Sequence, residues 1–165
     1  MWPELLAATA PAWPAAAAFV IGALLLFRSP PSERTVVRIS TASLALSLLA
    51  VLVGAGLWAA NGFEPVVAQL GHWFQVGDYE LEILVHFDTA SVPVALTAAV
   101  LVLATARFSA NYLHREPGFV RFFLLMLGFA SGMLLLVLSG SLDVLFAGWE
   151  LVGLCSVLLV AFFHE

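Results

Sequence analysis

The sequence contains no lysine and only one cysteine, and these two shortages exclude several classes of protein. A single cysteine, Cys155, cannot form an internal disulfide or a cysteine-based metal cluster. Six arginines without lysine form no basic patch for nucleic acid. The chain also lacks a phosphate-binding Gly-rich loop, a nucleophile elbow and a His-Glu-x-x-His motif, and its four histidines are scattered. We therefore expect no cofactor, no metal and no catalytic centre in this chain.

Charged residues are scarce in the sequence, and apolar residues are abundant. Only 10% of the residues are charged and 62% are hydrophobic, whereas soluble domains carry roughly 25% and 45–50%. This composition predicts an integral membrane protein. The N-terminus has no positive charge before its apolar stretch, which argues against a cleaved signal peptide.

Five apolar stretches are long enough to cross a bilayer as helices, each with about 17–23 residues. They cover residues 11–27, 36–58, 89–106, 122–138 and 142–163. Segments rich in proline, glycine and serine separate them and stop the helices. The prediction is an all-α integral membrane fold of about five transmembrane helices, with a small β-hairpin between helices two and three.

That hairpin is predicted in residues 59–87, which are too polar to span. Gly77-Asp78 suits a two-residue turn, and Tyr79, Leu81 and Ile83 alternate with polar residues after it. The hairpin serves either as a lid over the helix ends or as a docking edge for a neighbouring subunit.

The arginines predict the orientation of the chain. With alternating crossings, all six fall on one side of the membrane, and most acidic residues fall on the other. The positive-inside rule then places the N-terminus outside and the C-terminus in the cytoplasm of a multi-pass inner (plasma) membrane protein. The arginines are Arg28, Arg34, Arg38, Arg107, Arg115 and Arg121.

Glu150 is the candidate functional residue. It is the only residue between Asp143 and His164 whose side chain is charged at neutral pH, and it lies about 10 Å along a helix from Asp143. A charged, unpaired carboxylate in lipid would cost several kcal/mol, so Glu150 should face protein or a water-filled cavity, or carry a proton. Intramembrane acids of this kind mark ion pathways and proton relays.

Three motifs resemble the antiporter-like membrane subunits of respiratory complex I, cation/proton antiporters and inorganic-carbon uptake complexes. The nearest likeness is to the L-type subunit of NADH–quinone oxidoreductase. It covers about half of the chain, the N-terminal portion of such a subunit. The motifs are Asp88-x-x-Ser91, Tyr112-x-x-x-x-x-Gly118-x-x-Arg121-Phe122-Phe123 and Gly148-Trp149-Glu150-x-Val152-Gly153-x-x-Ser156.

The resemblance implies a role for each matched residue. Glu150 would be the relay acid of a proton- or cation-translocating subunit, paired with a lysine on a later helix. Trp149, Gly153 and Ser156 would support it, and Asp88 would open the third span. Leu151 stands where the respiratory pattern has glycine, which favours the antiporter and carbon-uptake relatives.

The resemblance also implies partners. Because this sequence has no lysine, the relay lysine would come from further C-terminal helices or from a second chain. We expect residues 1–165 to form the N-terminal transmembrane bundle of a larger subunit, in contact with lipid and with other membrane subunits. Any NADH or quinone chemistry would belong to those partners. The alternatives are a membrane subunit of a proton-driven CO2 or bicarbonate uptake complex, and a non-transporting scaffold.

Overall fold

The computed structural model describes residues 2–27, 31–76 and 79–163, which form a helical bundle with one two-stranded sheet. The chain ends its last helix in a short 3₁₀ turn at Ala161–Phe163. In chain order, the elements are α1 Trp2–Ala8, α2 Ala12–Leu26, α3 Glu33–Ala60, β1 Val66–Val76, β2 Tyr79–Phe87, α4 Ser91–Tyr112, α5 Phe119–Leu138 and α6 Leu142–Val160.

The predicted fold class is confirmed. Four helices, α3 to α6, are long and apolar enough to cross a membrane, and α2 is a shorter apolar helix. The predicted end of the third span at residue 106 was too early, because α4 continues to Tyr112. No glycine or proline stops the chain before Pro117, and arginine near a helix end can extend its charged head toward water.

The predicted first span, residues 11–27, corresponds to the shorter apolar helix α2. The helix α1 before it was not predicted, and residues 9–11 separate the two. Pro14 explains the break, because proline has no N–H and its ring collides with the carbonyl four residues earlier, that of Ala10. The Ser47 hydroxyl of α3 donates to that carbonyl at 2.6 Å, and the Ser131 hydroxyl of α5 donates to the Pro11 carbonyl at 2.9 Å. Two buried serines thus satisfy the backbone where the helix is broken.

Contacts between loops define two ends of the bundle. At one end, Glu33 binds His114, and Gly118 lies beside the Phe162 ring; we call this end, with loops 113–118 and turn 161–163, the arginine face. At the other end, the Gly140 N–H donates to the Leu84 carbonyl at 2.9 Å; we call this end, with residues 61–90 and 139–141, the hairpin face. The described arginines all lie toward the arginine face: Arg34, Arg38, Arg107, Arg115 and Arg121.

The predicted hairpin is present and longer than expected. β1 and β2 pair antiparallel from Val66↔Phe87 to Val76↔Tyr79. This register leaves two residues for the turn, although Gly77 and Asp78 themselves lie outside the described residues. The Phe87 ring is fully buried and packs so closely on Gly54 of α3 that a Cβ would not fit there. The hairpin therefore covers the helix ends, as a lid does.

Candidate functional site

The candidate site lies on α6, which is held to the bundle along a narrow seam. α6 packs mainly against α5. At the seam, a Cβ on Gly148 would lie 2.5 Å from the Leu136 nitrogen and 2.9 Å from the Gly132 oxygen. Glycine at both positions lets the two backbones approach closely. Gly128 and Gly132 of α5 are therefore packing positions against α6.

Glu150 lies on the opposite side of α6 from this seam. It is exposed in the described chain, as are residues one turn before and after it on the same face. Phe146 is 51% exposed, Leu154 59% and Val157 66%. Only 11% of the apolar 18-residue stretch of α6 is buried, against 28–39% of the corresponding stretches of α3, α4 and α5. We call this surface the open face of α6, defined by Phe146, Glu150, Gly153, Leu154 and Val157.

The depth of Glu150 follows from its place in the helix. It lies eight residues after Leu142, about 12 Å along the axis, in a helix of 19 residues. Within the described residues, its carboxylate has neither an ion pair nor a hydrogen-bond partner. The predicted mid-helix position is confirmed, whereas the predicted protein neighbours of the carboxylate are not supplied by this part of the chain.

The other α6 residues of the motif occupy three different environments. The Trp149 ring is 55% exposed and packs edge-on against Phe146, with 5.3 Å between the ring centroids. A Cβ on Gly153 would meet no atom within 4 Å, so within the described residues Gly153 makes no close helix contact, whereas Gly148 does. The Ser156 hydroxyl donates to the Gly153 carbonyl at 2.9 Å, a bond within the helix.

Asp88 does not join Glu150; it opens α4 at the hairpin face. One carboxylate oxygen, Oδ1, accepts hydrogen bonds from the Ala90 N–H at 2.9 Å and the Ser91 N–H at 2.7 Å. The Ser91 hydroxyl oxygen in turn accepts from the Asp88 N–H at 2.9 Å. This reciprocal arrangement satisfies backbone N–H groups that have no partner within a helix. The Asp88-x-x-Ser91 motif is thus a helix cap.

The cap predicts a specific acid sensitivity. The backbone hydrogen bond from Ser91 holds the pKa of the Asp88 carboxyl below its ordinary value. The stabilisation by the cap is therefore complete at pH values above the unfolded pKa, about 3.9, and is lost as the pH falls through the lower folded pKa. Asp88→Ala should lower the free energy of unfolding by about 1 kcal/mol at neutral pH. Denaturant unfolding in micelles at pH 7 and below pH 4 measures both effects.

Glu64 provides the matched control for this prediction. Its carboxyl is exposed on the same face and has no hydrogen bond or ion pair within the described residues. Glu64→Ala should leave both the stability and the acid profile unchanged. Equal acid profiles for Asp88→Ala and the unmodified chain would contradict the cap assignment.

Sequence reasoning missed two features around the site. Gly148 was included in the motif without a packing role, yet it fixes which side of α6 faces α5 and hence that Glu150 faces away. The serines Ser47 and Ser131 lie in apolar spans opposite the break. The signal for Ser47 was Pro14, which frees the Ala10 carbonyl and so requires a donor from another helix. Among the described residues, no group of three or more His, Cys, Asp or Glu side chains could hold a metal ion.

The four helices that are long and apolar enough to span define a multi-pass helical membrane protein. A sequence profile described as NADH-Ubiquinone oxidoreductase (complex I), chain 5 N-terminus, matches residues 73–123. The chain is therefore related to the antiporter-like, L-type membrane subunits of NADH–quinone oxidoreductase, and the similarity falls on their N-terminal portion.

Individual relatives show the extent of the match. The chain is 34% identical to NAD(P)H-quinone oxidoreductase chain 5 of Synechocystis sp. over 118 residues, which are 70% of this chain and 17% of that protein. It is 33% identical to the chloroplastic subunit 5 of Nephroselmis olivacea over 154 residues, 92% of this chain and 24% of the relative. NADH-quinone oxidoreductase subunit L of Escherichia coli is 29% identical over 146 residues, 88% and 24% of the two chains. The chain thus spans less than a quarter of the length of these relatives.

Proposed function

We propose that these residues form the N-terminal bundle of a proton- or cation-translocating membrane subunit in a complex I-like NADH–quinone oxidoreductase, with Glu150 as its relay acid. The observation that carries the proposal is the carboxylate at mid-depth on the open face of α6. An ionisable group in that position is costly unless it exchanges protons or meets a counter-charge. The relatives named as chain 5 or subunit L of quinone oxidoreductases support a quinone-oxidoreductase subunit over a carbon-uptake subunit.

The counter-charge for Glu150 must come from outside the described residues. The chain has no lysine, and its described arginines lie toward the arginine face, away from the middle of α6. A basic residue on a further helix, placed against the open face, would complete the pair. A carboxylate nearby favours the charged form of such a residue, and separating the two releases its proton. Trp149, Gly153 and Ser156 would then line the contact between the helices.

The charges at the two ends support the proposed orientation. The arginine face carries all the described arginines, and the hairpin face carries Glu4, Glu64, Glu80, Glu82, Asp88 and Asp143. By the positive-inside rule, the arginine face lies in the cytoplasm and the hairpin face outside. The N-terminus is then outside and α6 ends at the cytoplasmic side.

Reaction-induced infrared difference spectra of the assembled complex test the relay role. If Glu150 gains and loses a proton during turnover, the spectra should contain a protonated-carboxyl stretching signal that is absent in Glu150→Gln. The matched control, Asp143→Asn, removes a carboxyl from the first turn of the same helix and should retain the signal. Identical spectra for Glu150→Gln and the unmodified complex would show a static carboxyl, as a scaffold requires.

A further inference from the structure

A pocket opens at the arginine face between the start of α3 and the end of α4. Its volume is about 270 Å³, roughly nine times the ~30 Å³ that a water molecule occupies in the liquid. A phosphodiester group of five heavy atoms fits in this space. Arg34 and Arg38 line it from α3, and Asn111 lines it from α4.

The two arginines are free to bind an anion. They lie four residues apart, so they project from the same side of α3. Within the described residues, neither guanidinium has an ion pair or a hydrogen bond. The Asn111 side chain adds an amide donor at the same pocket, and guanidinium groups are well suited to bidentate binding of phosphate.

The one carboxylate that lines the pocket is already engaged. Glu33 Oε2 lies 2.6 Å from His114 Nδ1, and Glu33 Oε1 accepts from the Arg115 N–H at 3.1 Å. Because a carboxylate only accepts hydrogen bonds, Nδ1 of His114 carries the hydrogen in this pair. Both carboxylate oxygens of Glu33 therefore contact the loop after α4. The guanidinium groups of Arg34 and Arg38 are not paired with Glu33 and can bind an anion.

The level of the pocket matches that of lipid headgroups. α3 has 28 residues, about 42 Å at helical rise, which exceeds a hydrocarbon core of ~30 Å. Trp58 lies near its hairpin-face end, where tryptophan favours the membrane interface. Counting back 20 residues, about 30 Å, reaches Arg38 at the opposite interface. Val37, Ala110 and Phe119 line the pocket with apolar surface, as the first carbons of a glycerolipid require.

We infer that this pocket binds the phosphate headgroup of an anionic phospholipid, with Arg34, Arg38 and Asn111 as its donors. Basic pockets between transmembrane helices on the cytoplasmic side suit such headgroups. The inference concerns lipid attachment at the edge of the bundle and does not depend on proton transfer through Glu150.

Native mass spectrometry of the full-length protein in detergent tests the site, with phosphatidylglycerol as the probe and phosphatidylcholine as the headgroup control. The unmodified protein should prefer phosphatidylglycerol by about 10- to 30-fold, given the contribution of two arginines near a membrane surface. Arg34→Gln/Arg38→Gln should reduce this preference to nearly none. Arg34→Lys/Arg38→Lys should retain much of it, since the charges remain, and shows that the pocket variants fold.

The control double variant, Arg107→Gln/Arg121→Gln, removes two charges from the same face outside the pocket and should keep the preference. An equal loss of the lipid preference in this control would mean that diffuse surface charge attracts phosphatidylglycerol. That result would overturn the proposed site. An equal affinity of the unmodified protein for both lipids would also overturn it. Displacement of phosphatidylglycerol by millimolar inorganic phosphate would show a site for a soluble anion instead of a lipid. Retention of the lipid under that competition supports the proposal.

Discussion

Glu150→Gln should abolish the proton translocation carried by this subunit while leaving the complex assembled. Glutamine has nearly the shape of glutamate and retains its hydrogen-bonding capacity, but it neither takes up nor releases a proton at neutral pH. A positioned acid–base group typically contributes a factor of 10² to 10⁴ to proton transfer. We therefore expect the flux through this subunit to fall by about a hundredfold. Proton uptake by membrane vesicles during NADH oxidation measures it.

Two controls separate this loss from a structural defect. Asp143→Asn removes a carboxyl at the start of α6 and should leave the flux unchanged. Native gel electrophoresis should show as much assembled complex for Glu150→Gln as for the unmodified chain, because Glu150 has no partner in the described bundle to lose. Normal flux in a fully assembled Glu150→Gln complex would refute the relay role.

Gly148→Ala should destabilise the bundle, although alanine is the better helix former. The added Cβ would lie 2.5 Å from the Leu136 nitrogen and 2.9 Å from the Gly132 oxygen. Both are backbone atoms, so no side chain can rotate away and α5 and α6 must separate. Overpacking of this kind costs about 1–3 kcal/mol, against a gain of about 1 kcal/mol from helix propensity. Unfolding in mixed micelles, followed by circular dichroism, measures the balance.

Gly153→Ala is the matched control on the same helix. A Cβ there would meet no atom within 4 Å, so only the propensity term remains and the isolated bundle should become slightly more stable. If a further helix covers the open face, the same variant should weaken assembly of the complex. Equal stability changes at residues 148 and 153 would contradict the seam described for α5 and α6.

Much of the fold could be predicted because the bilayer restricts the choices. The apolar runs determine where α3 to α6 lie along the sequence. The arginines and acidic residues determine which helix ends lie on the same face of the bundle. The break between α1 and α2 could not be placed from local sequence. Pro14 indicates that the Ala10 carbonyl loses its helical partner, but only the folded bundle shows that Ser47 replaces it.

The position of the candidate residue along its helix could be predicted, but its surroundings could not. Glu150 stands out as a lone acid in an apolar run, and its mid-helix position is confirmed. The direction it faces depends on Gly148, because the side of α6 that packs on α5 decides which side remains open. For Asp88, the motif was recognised in the sequence but its structural role was not. Its geometry is that of a helix cap.

The interrupted first helix has a consequence for how the protein is made. The Ala10 carbonyl, which Pro14 deprives of its helical donor, is bonded by Ser47 of α3, 37 positions later in the chain. Until α3 has been synthesised and lies beside it, this carbonyl has no protein partner in lipid. The backbone at the break is therefore satisfied only after α3 has entered the membrane.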